Sequence, residues 1–216
     1  MAKQILWDWN GTLLDDAEIS LRVLNRMLTD RGLAPVDMER YRDIFTFPIR
    51  DYYRLAGFDF DREPYEHIAE DYIAAYPIAA KSASLMPGAL DALCRFRDAG
   101  FRQTIISAGE TGLLRRQTDA LGVTDFFDGI HGADDGYGGG KAEIAARWLA
   151  ESGSCDASYF IGDTLHDREI AVSIGCTPIL VTFGHQSRRR LSAFGDAVID
   201  RMEELYPIIF GTAQAL

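Results

Sequence analysis

The chain has 216 residues, with 22 Lys plus Arg against 33 Asp plus Glu and a formal net charge of -11 at pH 7. So acidic a chain is not a nucleic-acid binder held by a basic surface. With 47% hydrophobic and 11% aromatic residues it is expected to bury a core as one large or two small domains rather than remain disordered.

The first predicted element is the apolar run Gln4 to Trp9, read as a buried strand that breaks into a tight loop at Asp8-Trp9-Asn10-Gly11-Thr12. From Ala17 the residues Ile19, Val23 and Met27 share one helical face, and Gly32 supplies a stop. Helical patterning continues through Asp37 to Phe45, Pro48 to Ala56 and Pro64 to Ala79, punctuated by Gly57 and Pro77. No strand pattern interrupts it, so an all-helical insert is expected. At Met86-Pro87-Gly88 the texture changes to an alternation. Helices are predicted at Ala89 to Ala99, Gly112 to Leu121, Lys141 to Glu151 and Asp167 to Ile174. Strands are predicted at Phe101 to Ile106, Phe126 to His131, Ser158 to Ile161, Pro178 to Phe183 and Ala197 to Ile199. Such alternation implies an α/β fold with a parallel sheet flanked by helices, in which ligands bind at the carboxyl ends of strands.

The three cysteines, Cys94, Cys155 and Cys176, form no close pair, so neither a disulfide framework nor a zinc site is indicated. Met1 to Asp8 is too short for a signal-peptide core, and the longest uncharged stretch, Ile170 to Ser187, is broken by Gly175, Pro178 and Gly184. A cytoplasmic protein without a membrane or nucleic-acid partner, monomeric or homodimeric, is the expectation. The cluster Gly136, Gly138, Gly139 and Gly140 fits no nucleotide loop. Ala142 follows Lys141 where a Walker A motif needs Ser or Thr, and Lys141 takes the last glycine position of a dinucleotide fingerprint.

Chemistry gathers at three predicted strand ends: Asp8 to Asn10, Ser107, and Asp163 to Asp167. The carboxylates Asp8, Asp163 and Asp167 would repel one another unless a cation lay between them, and Mg²⁺ favours such oxygen ligands. An Asp so held can attack phosphorus, with Ser107 and Lys141 holding the phosphoryl oxygens. Only Lys3, Lys81 and Lys141 are lysines, so a lysine after a glycine-rich loop stands out.

These residues are similar in kind and order to the motifs of the haloacid dehalogenase-like hydrolases, in the branch with a helical cap after the first strand that includes phosphoglycolate phosphatases. The first motif, D-x-D-G-T, resembles Asp8-Trp9-Asn10-Gly11-Thr12 except at Asn10. The second is Thr104-Ile105-Ile106-Ser107, the third Lys141, and the fourth, G-D-x-x-x-D, is Gly162-Asp163-Thr164-Leu165-His166-Asp167. The resemblance implies a Rossmann-like core of residues 1–14 and 86–216, with residues 15–85 as the cap. It implies a phosphatase of a small phosphorylated metabolite working through an aspartyl-phosphate, with Mg²⁺ on Asp8, the Asn10 carbonyl, Asp163 and Asp167. Asp8, Asn10, Ser107 and Lys141 would be catalytic, and Asn10, Gly11, Ser107, Ala108, Lys141 and the cap residue Arg50 would meet the phosphate or substrate. In the family's phosphatases the residue at the Asn10 position is an Asp that protonates the leaving group and then activates water. Asn10 keeps the carbonyl and lacks the proton. A phosphate-binding or regulatory protein without useful turnover is therefore the rival expectation. Retention of both Asp163 and Asp167 argues against a metal-free dehalogenase. Among the histidines His67, His131, His166 and His185, packing or surface roles are expected, with His166 set apart by its place inside the fourth motif. Arg54 could join Arg50 in facing an anion, and Arg188 to Arg190 read as a solvated face.

Overall fold

The structure, a computed structural model, describes residues 3–133, 140–152 and 158–211. Cys155 and the glycines Gly136, Gly138 and Gly139 lie outside the described residues. The chain opens with β1 (Gln4–Trp7), followed by the short strand β2 (Leu14–Asp15) and the helices α1 (Ala17–Asp30), α2 (Met38–Ile44), α3 (Ile49–Ala56) and α4 (Tyr65–Ala79). After these come β3 (Ser84–Leu85), α5 (Ala89–Asp98), β4 (Arg102–Glu110), α6 (Thr111–Ala120), β5 (Gly129–Ala133) and α7 (Lys141–Ser152). The chain continues with β6 (Ser158–Gly162), α8 (Leu165–Ser173), β7 (Thr177–Val181), α9 (Arg188–Leu191), β8 (Ala197–Ile199) and α10 (Leu205–Phe210).

Six strands form a sheet in the order β5-β4-β1-β6-β7-β8, every pairing parallel. From β1 the order runs outward through β4 and β5 on one side and through β6, β7 and β8 on the other, so β1 marks the switch point where a crevice opens at the strand ends. Its apolar run follows from burial on both faces. Ile5 and Trp7 join Leu93 and Phe96 of α5 in one core cluster, while Leu6 faces Ile106, Ile144 and Phe160 in another.

The helical insert has its own core, in which Leu24 and Leu28 of α1, Tyr41 of α2, Tyr53 of α3 and Ile68 of α4 are buried together. Its two connections run side by side, because Leu14 and Asp15 pair antiparallel with Leu85 and Ser84. Such two-residue strands carry no period and have no sequence signature. Pro77, expected as punctuation, lies inside α4. It falls in the last turn, where its missing N–H removes one ladder bond and the helix passes into a 3₁₀ turn at Ala80–Ser82. No helix among the described residues is long and apolar enough to cross a membrane.

Of the arginines of α9, Arg188 and Arg189 are exposed, as expected of a solvated face, and Arg190 is not. Arg188 pairs with Asp200 and Arg189 with Asp43, while Arg190 is half-buried against the Phe45 carbonyl. The insert is clasped to the core on that side: Arg42 donates to the Gly184 and Phe183 carbonyls at 2.9 Å each, Gln186 Nε2 to the Phe45 carbonyl at 2.9 Å and Ser187 Oγ to Asp43 at 2.8 Å. Arg42→Met keeps the stem and removes both charge-assisted bonds, and should cost about 2 kcal/mol in urea-induced unfolding. An unchanged midpoint would mean that the clasp contributes nothing to stability.

Candidate active site

Asp8 follows the last residue of β1, and its N–H donates to the Ile161 carbonyl of β6 at 2.8 Å, so the sheet pairing itself aims this residue. The chain then turns sharply, with Leu13 and Leu14 donating to the Trp9 carbonyl at 3.0 and 2.8 Å. Gly11 has φ +71, and a Cβ there would run into the side chains of Asp163 and His185. Both conformation and space therefore require glycine.

Ser107 lies on β4 next to β1, where the pairing to β5 becomes irregular between Ile106 and Glu110. The strand thus runs past its expected end at Ile106. Ser107 is buried and its Oγ accepts from the Gly109 N–H at 3.1 Å, which leaves the hydroxyl proton to donate elsewhere. The helix cap of α6 is Glu110, whose carboxylate accepts from Gly112 and Leu113, each at 2.7 Å. Lys141, the first residue of α7, is buried, and its ammonium contacts Asp8 Oδ1 at 2.5 Å and Asp167 Oδ1. Burial alone would lower this amine, but the Asp167 and Asp8 charges hold it above the usual lysine range.

The loop after β6 supplies Asp163 and the N-terminus of α8. Thr164 caps that helix in a reciprocal box with Asp167. Asp167 Oδ2 accepts from Thr164 N at 3.0 Å and from its hydroxyl at 2.6 Å, leaving Oδ1 turned to Lys141. One aspartate is thus both cap and site group. Asp163 Oδ2 accepts from the His185 N–H at 2.5 Å, whereas its Oδ1 is buried without a hydrogen-bond partner among the described residues. Asp8, Asp163 and Asp167 each offer an oxygen within 4.8 Å of the others. Burial pushes Asp8 up to about 6 in spite of Lys141, and raises Asp163 well above the usual carboxylate range. A buried triad of acids with one orphaned oxygen fits a hard divalent cation.

Asn10 engages a network the sequence did not disclose. Its Nδ2 donates to Asp16 Oδ2 at 2.8 Å and to the Tyr76 hydroxyl at 2.5 Å, and Tyr76 in turn donates to Asp16 at 2.6 Å. Asp16 Oδ1 accepts from the Gly11 N–H at 2.7 Å and lies 3.4 Å from His185 Nε2, whose Nδ1 meets the Tyr41 hydroxyl at 2.7 Å. Burial would raise Asp16, but the His185 charge and its hydrogen bonds hold it below the ordinary value. Burial would likewise lower His185, and Asp16 outweighs that, raising it to about 9. His185 therefore departs from the surface or packing role expected of it. His166, the histidine set apart by its motif, instead stacks on Phe47 with ring centroids 4.7 Å apart.

A cavity of about 290 Å³ joins these groups, lined by Asp8, Asn10, Ser107, Ala108, Lys141, Asp163 and Asp167 among others. Arg50 is not brought to it. Its guanidinium lies over the rings of Phe60 and Tyr65, at 5.3 and 5.8 Å from their centroids, a cation–π site that holds it out of the lining. Arg54 is held by Asp51 at 2.7 Å.

Residues 5–181 match the Haloacid dehalogenase-like hydrolase family. The chain is 27% identical over 208 residues to phosphoglycolate phosphatase of Caulobacter vibrioides, covering 90% of this chain and 85% of that protein. It is 28% identical over 194 residues to phosphoglycolate phosphatase of Rhodobacter capsulatus, with 86% and 87% covered. A haloacid dehalogenase-like family hydrolase from Streptococcus pneumoniae has the same fold, with a TM-score of 0.76 at 20% identity over 96% of this chain and 98% of that one. Since the match runs from β1 to β7 and so takes in every strand that carries a site carboxylate, the chain belongs to the haloacid dehalogenase-like hydrolases.

Proposed function

We propose that this chain is a Mg²⁺-dependent phosphatase of a small phosphorylated metabolite, with Asp8 as nucleophile and residues 15–85 as the cap over its site. The observation that carries this reading is the convergence of Asp8, Asp163 and Asp167 beyond the carboxyl ends of the adjacent strands β1 and β6, with the Lys141 ammonium from the start of α7 between Asp8 and Asp167. The names of the relatives from Caulobacter vibrioides and Rhodobacter capsulatus, both phosphoglycolate phosphatases, support the reaction class.

Asp8, Asp163 and Asp167 would hold the cation together with the Asn10 carbonyl, and when bound it neutralises the carboxylates and the phosphate oxygens they face. A carboxylate oxygen of Asp8 attacks phosphorus as the bond to the ester oxygen breaks, and the departing alkoxide takes up a proton from water, since Asn10 has none to give. Lys141 and the free hydroxyl proton of Ser107 stabilise the phosphoryl oxygens, with Ala108 beside them in the lining, whereas Gly11, expected there, is not among the lining residues and gives its N–H to Asp16. Water then cleaves the aspartyl-phosphate and restores Asp8. Arg50 has no part in this scheme. Phosphate release from a panel of phosphomonoesters, with Mg²⁺ and with chelator, tests the reading. Release that is indifferent to Mg²⁺ would refute the metal's role, and no release from any ester would favour the binding protein.

Metal and pH should be linked in a definite sense. In the metal-free chain Asp8 titrates between 3.8 unfolded and about 6 folded. The folded state therefore binds more protons than the unfolded one in that window, and stability falls as pH rises through it. Asp163, also raised by burial, acts in the same sense. A cation that takes the ionised carboxylates removes this penalty. Mg²⁺ at about 100 times its Kd should stabilise the fold by about 2.7 kcal/mol at pH 8, and by much less at pH 5. Thermal melts at both pH values check this. A larger Mg²⁺ effect at pH 5, or one that survives Asp163→Asn in full, would contradict the assigned ligands.

A further inference from the structure

The cavity has two unlike walls. The core supplies Asp8, Asp163, Asp167, Ser107 and Lys141. The insert supplies mostly rings and aliphatic carbon, chiefly Phe45, Phe47, Tyr52, Tyr72, Ile73 and Tyr76, together with Asp16 and Ser20. Three of the tyrosine hydroxyls on that side are already committed. Tyr72 donates to Ser20 Oγ at 3.1 Å, Tyr76 donates to Asp16 at 2.6 Å, and the Tyr41 hydroxyl meets His185 at 2.7 Å. A ligand seated above the phosphate position therefore meets the rings of Tyr72 and Tyr76, and of Phe45 and Phe47, rather than free hydroxyls on those residues.

The cations tell the same story. The basic side chains lining the cavity are Lys141, Arg116 and His185. Lys141 is paired with Asp8 and Asp167, Arg116 with Glu110 at 3.5 Å, and His185 with Asp16 at 3.4 Å. Arg50 and Arg54 both lie over the Phe60 ring, outside the lining. Residues 134–139, 153–157 and 212–216 contain no Lys or Arg in the sequence, so they bring no further basic side chain to the wall. Gln117 lines the cavity too; its amide is uncharged, its Oε1 accepts from Trp9 Nε1 at 2.9 Å, and its Nε2 is buried without a hydrogen-bond partner among the described residues. A carboxylate on the alcohol portion of a substrate would leave water for this wall and would have to compete with Asp8, Asp167, Glu110 or Asp16 for a cation they already pair, which is unfavourable. A flat apolar group would gain from contact with the rings.

We infer that the site takes phosphate monoesters whose alcohol portion is an uncharged, ring-bearing group, and that it disfavours the carboxylate-bearing alcohol of phosphoglycolate. The inference rests on the phosphatase reading above and narrows its substrate class.

Two phosphonates of matched length separate the classes: 2-phenylethylphosphonate carries a ring, and 3-phosphonopropionate carries a carboxylate. Neither can be hydrolysed, so the missing acid at Asn10 does not enter the comparison. Calorimetric titration of the full chain with Mg²⁺ should give at least about tenfold tighter binding of the phenyl compound. Ile73→Arg places a cation in the insert wall and should shift the ratio of the two affinities toward the carboxylate by about tenfold or more. Equal or tighter binding of 3-phosphonopropionate to the unmodified chain overturns the inference and leaves the phosphatase reading intact, whatever the variant does. Failure of both phosphonates and of inorganic phosphate to bind overturns the phosphatase reading, and the inference falls with it.

Discussion

Asp8→Asn is expected to lower turnover of every phosphate ester by roughly 10⁴-fold or more, the scale seen when a nucleophile acting as part of a unit is removed. The amide has the shape of the carboxylate but cannot attack phosphorus. Lys141 keeps its contact with Asp167 in the variant, so the floor of the cavity retains its form. The fold should not suffer, because burial already pushes the Asp8 carboxyl up to about 6 and a neutral amide carries no such burden. The prediction is therefore specific: activity is lost while the melting temperature of the metal-free protein holds or rises. Acid quenching during turnover should capture one phosphoryl group on the unmodified chain and none on the variant. Turnover within a hundredfold of the parent, together with a trapped phosphoryl group, would move the nucleophile to another residue.

The sequence made the acids legible because their chemistry fixes both residue type and position. A buried strand must stop at a turn, and an Asp at that point is exposed to whatever lies beyond the sheet. Asp8, Asp163 and Asp167 were recognisable for that reason, and so were the six strands of the large sheet and the helices α1 to α8, which follow from periodicity. What could not be read is made by contacts between residues far apart in the chain. His185 reaches Tyr41 across 144 positions and Tyr76 reaches Asp16 across 60, and neither pair has a local signature. Asp16 carries no motif that marks it, yet it is buried and takes bonds from Asn10, Gly11 and Tyr76. Arg50 failed in the opposite direction. A positive charge near an anion site is an obvious guess, but Phe60 and Tyr65 offer it a competing seat. Arg190 of α9 gave a similar lesson, since backbone carbonyls of the insert, invisible in a list of side chains, draw it inward.

Asn10→Asp is expected to raise kcat/KM, which reports the leaving-group step, for alkyl phosphates by about 10² to 10⁴, the range for a positioned general acid or base, and that for nitrophenyl phosphate far less. The difference follows from where a proton is needed. When Asp8 attacks, an alkoxide must be protonated as it departs, whereas a nitrophenolate leaves without much help. Asn10 has no proton to give, and it cannot activate the water that cleaves the aspartyl-phosphate, so the unmodified chain should show a burst with the nitrophenyl ester. The structure adds a reason for the new carboxyl to hold a proton at neutral pH. The Asn10 amide nitrogen donates to Asp16 Oδ2 at 2.8 Å, and an oxygen put in its place would face a carboxylate that is itself buried and held ionised by His185. Two carboxyl groups so placed share a proton. The variant would thus begin the reaction with an acid in place, and the burst should shrink. The same contact predicts a cost in stability. A carboxyl whose folded pKa is raised contributes stability below its unfolded value and loses it as pH rises through the folded one, so the variant's melting temperature should drop relative to the parent as pH increases. Alkyl phosphate kcat/KM unchanged by Asn10→Asp, with Asp8→Asn still inactive, would show that Asn10 is not where the proton is missing. The Asp16 and His185 pair, which lines the same cavity, would then be the next group to test.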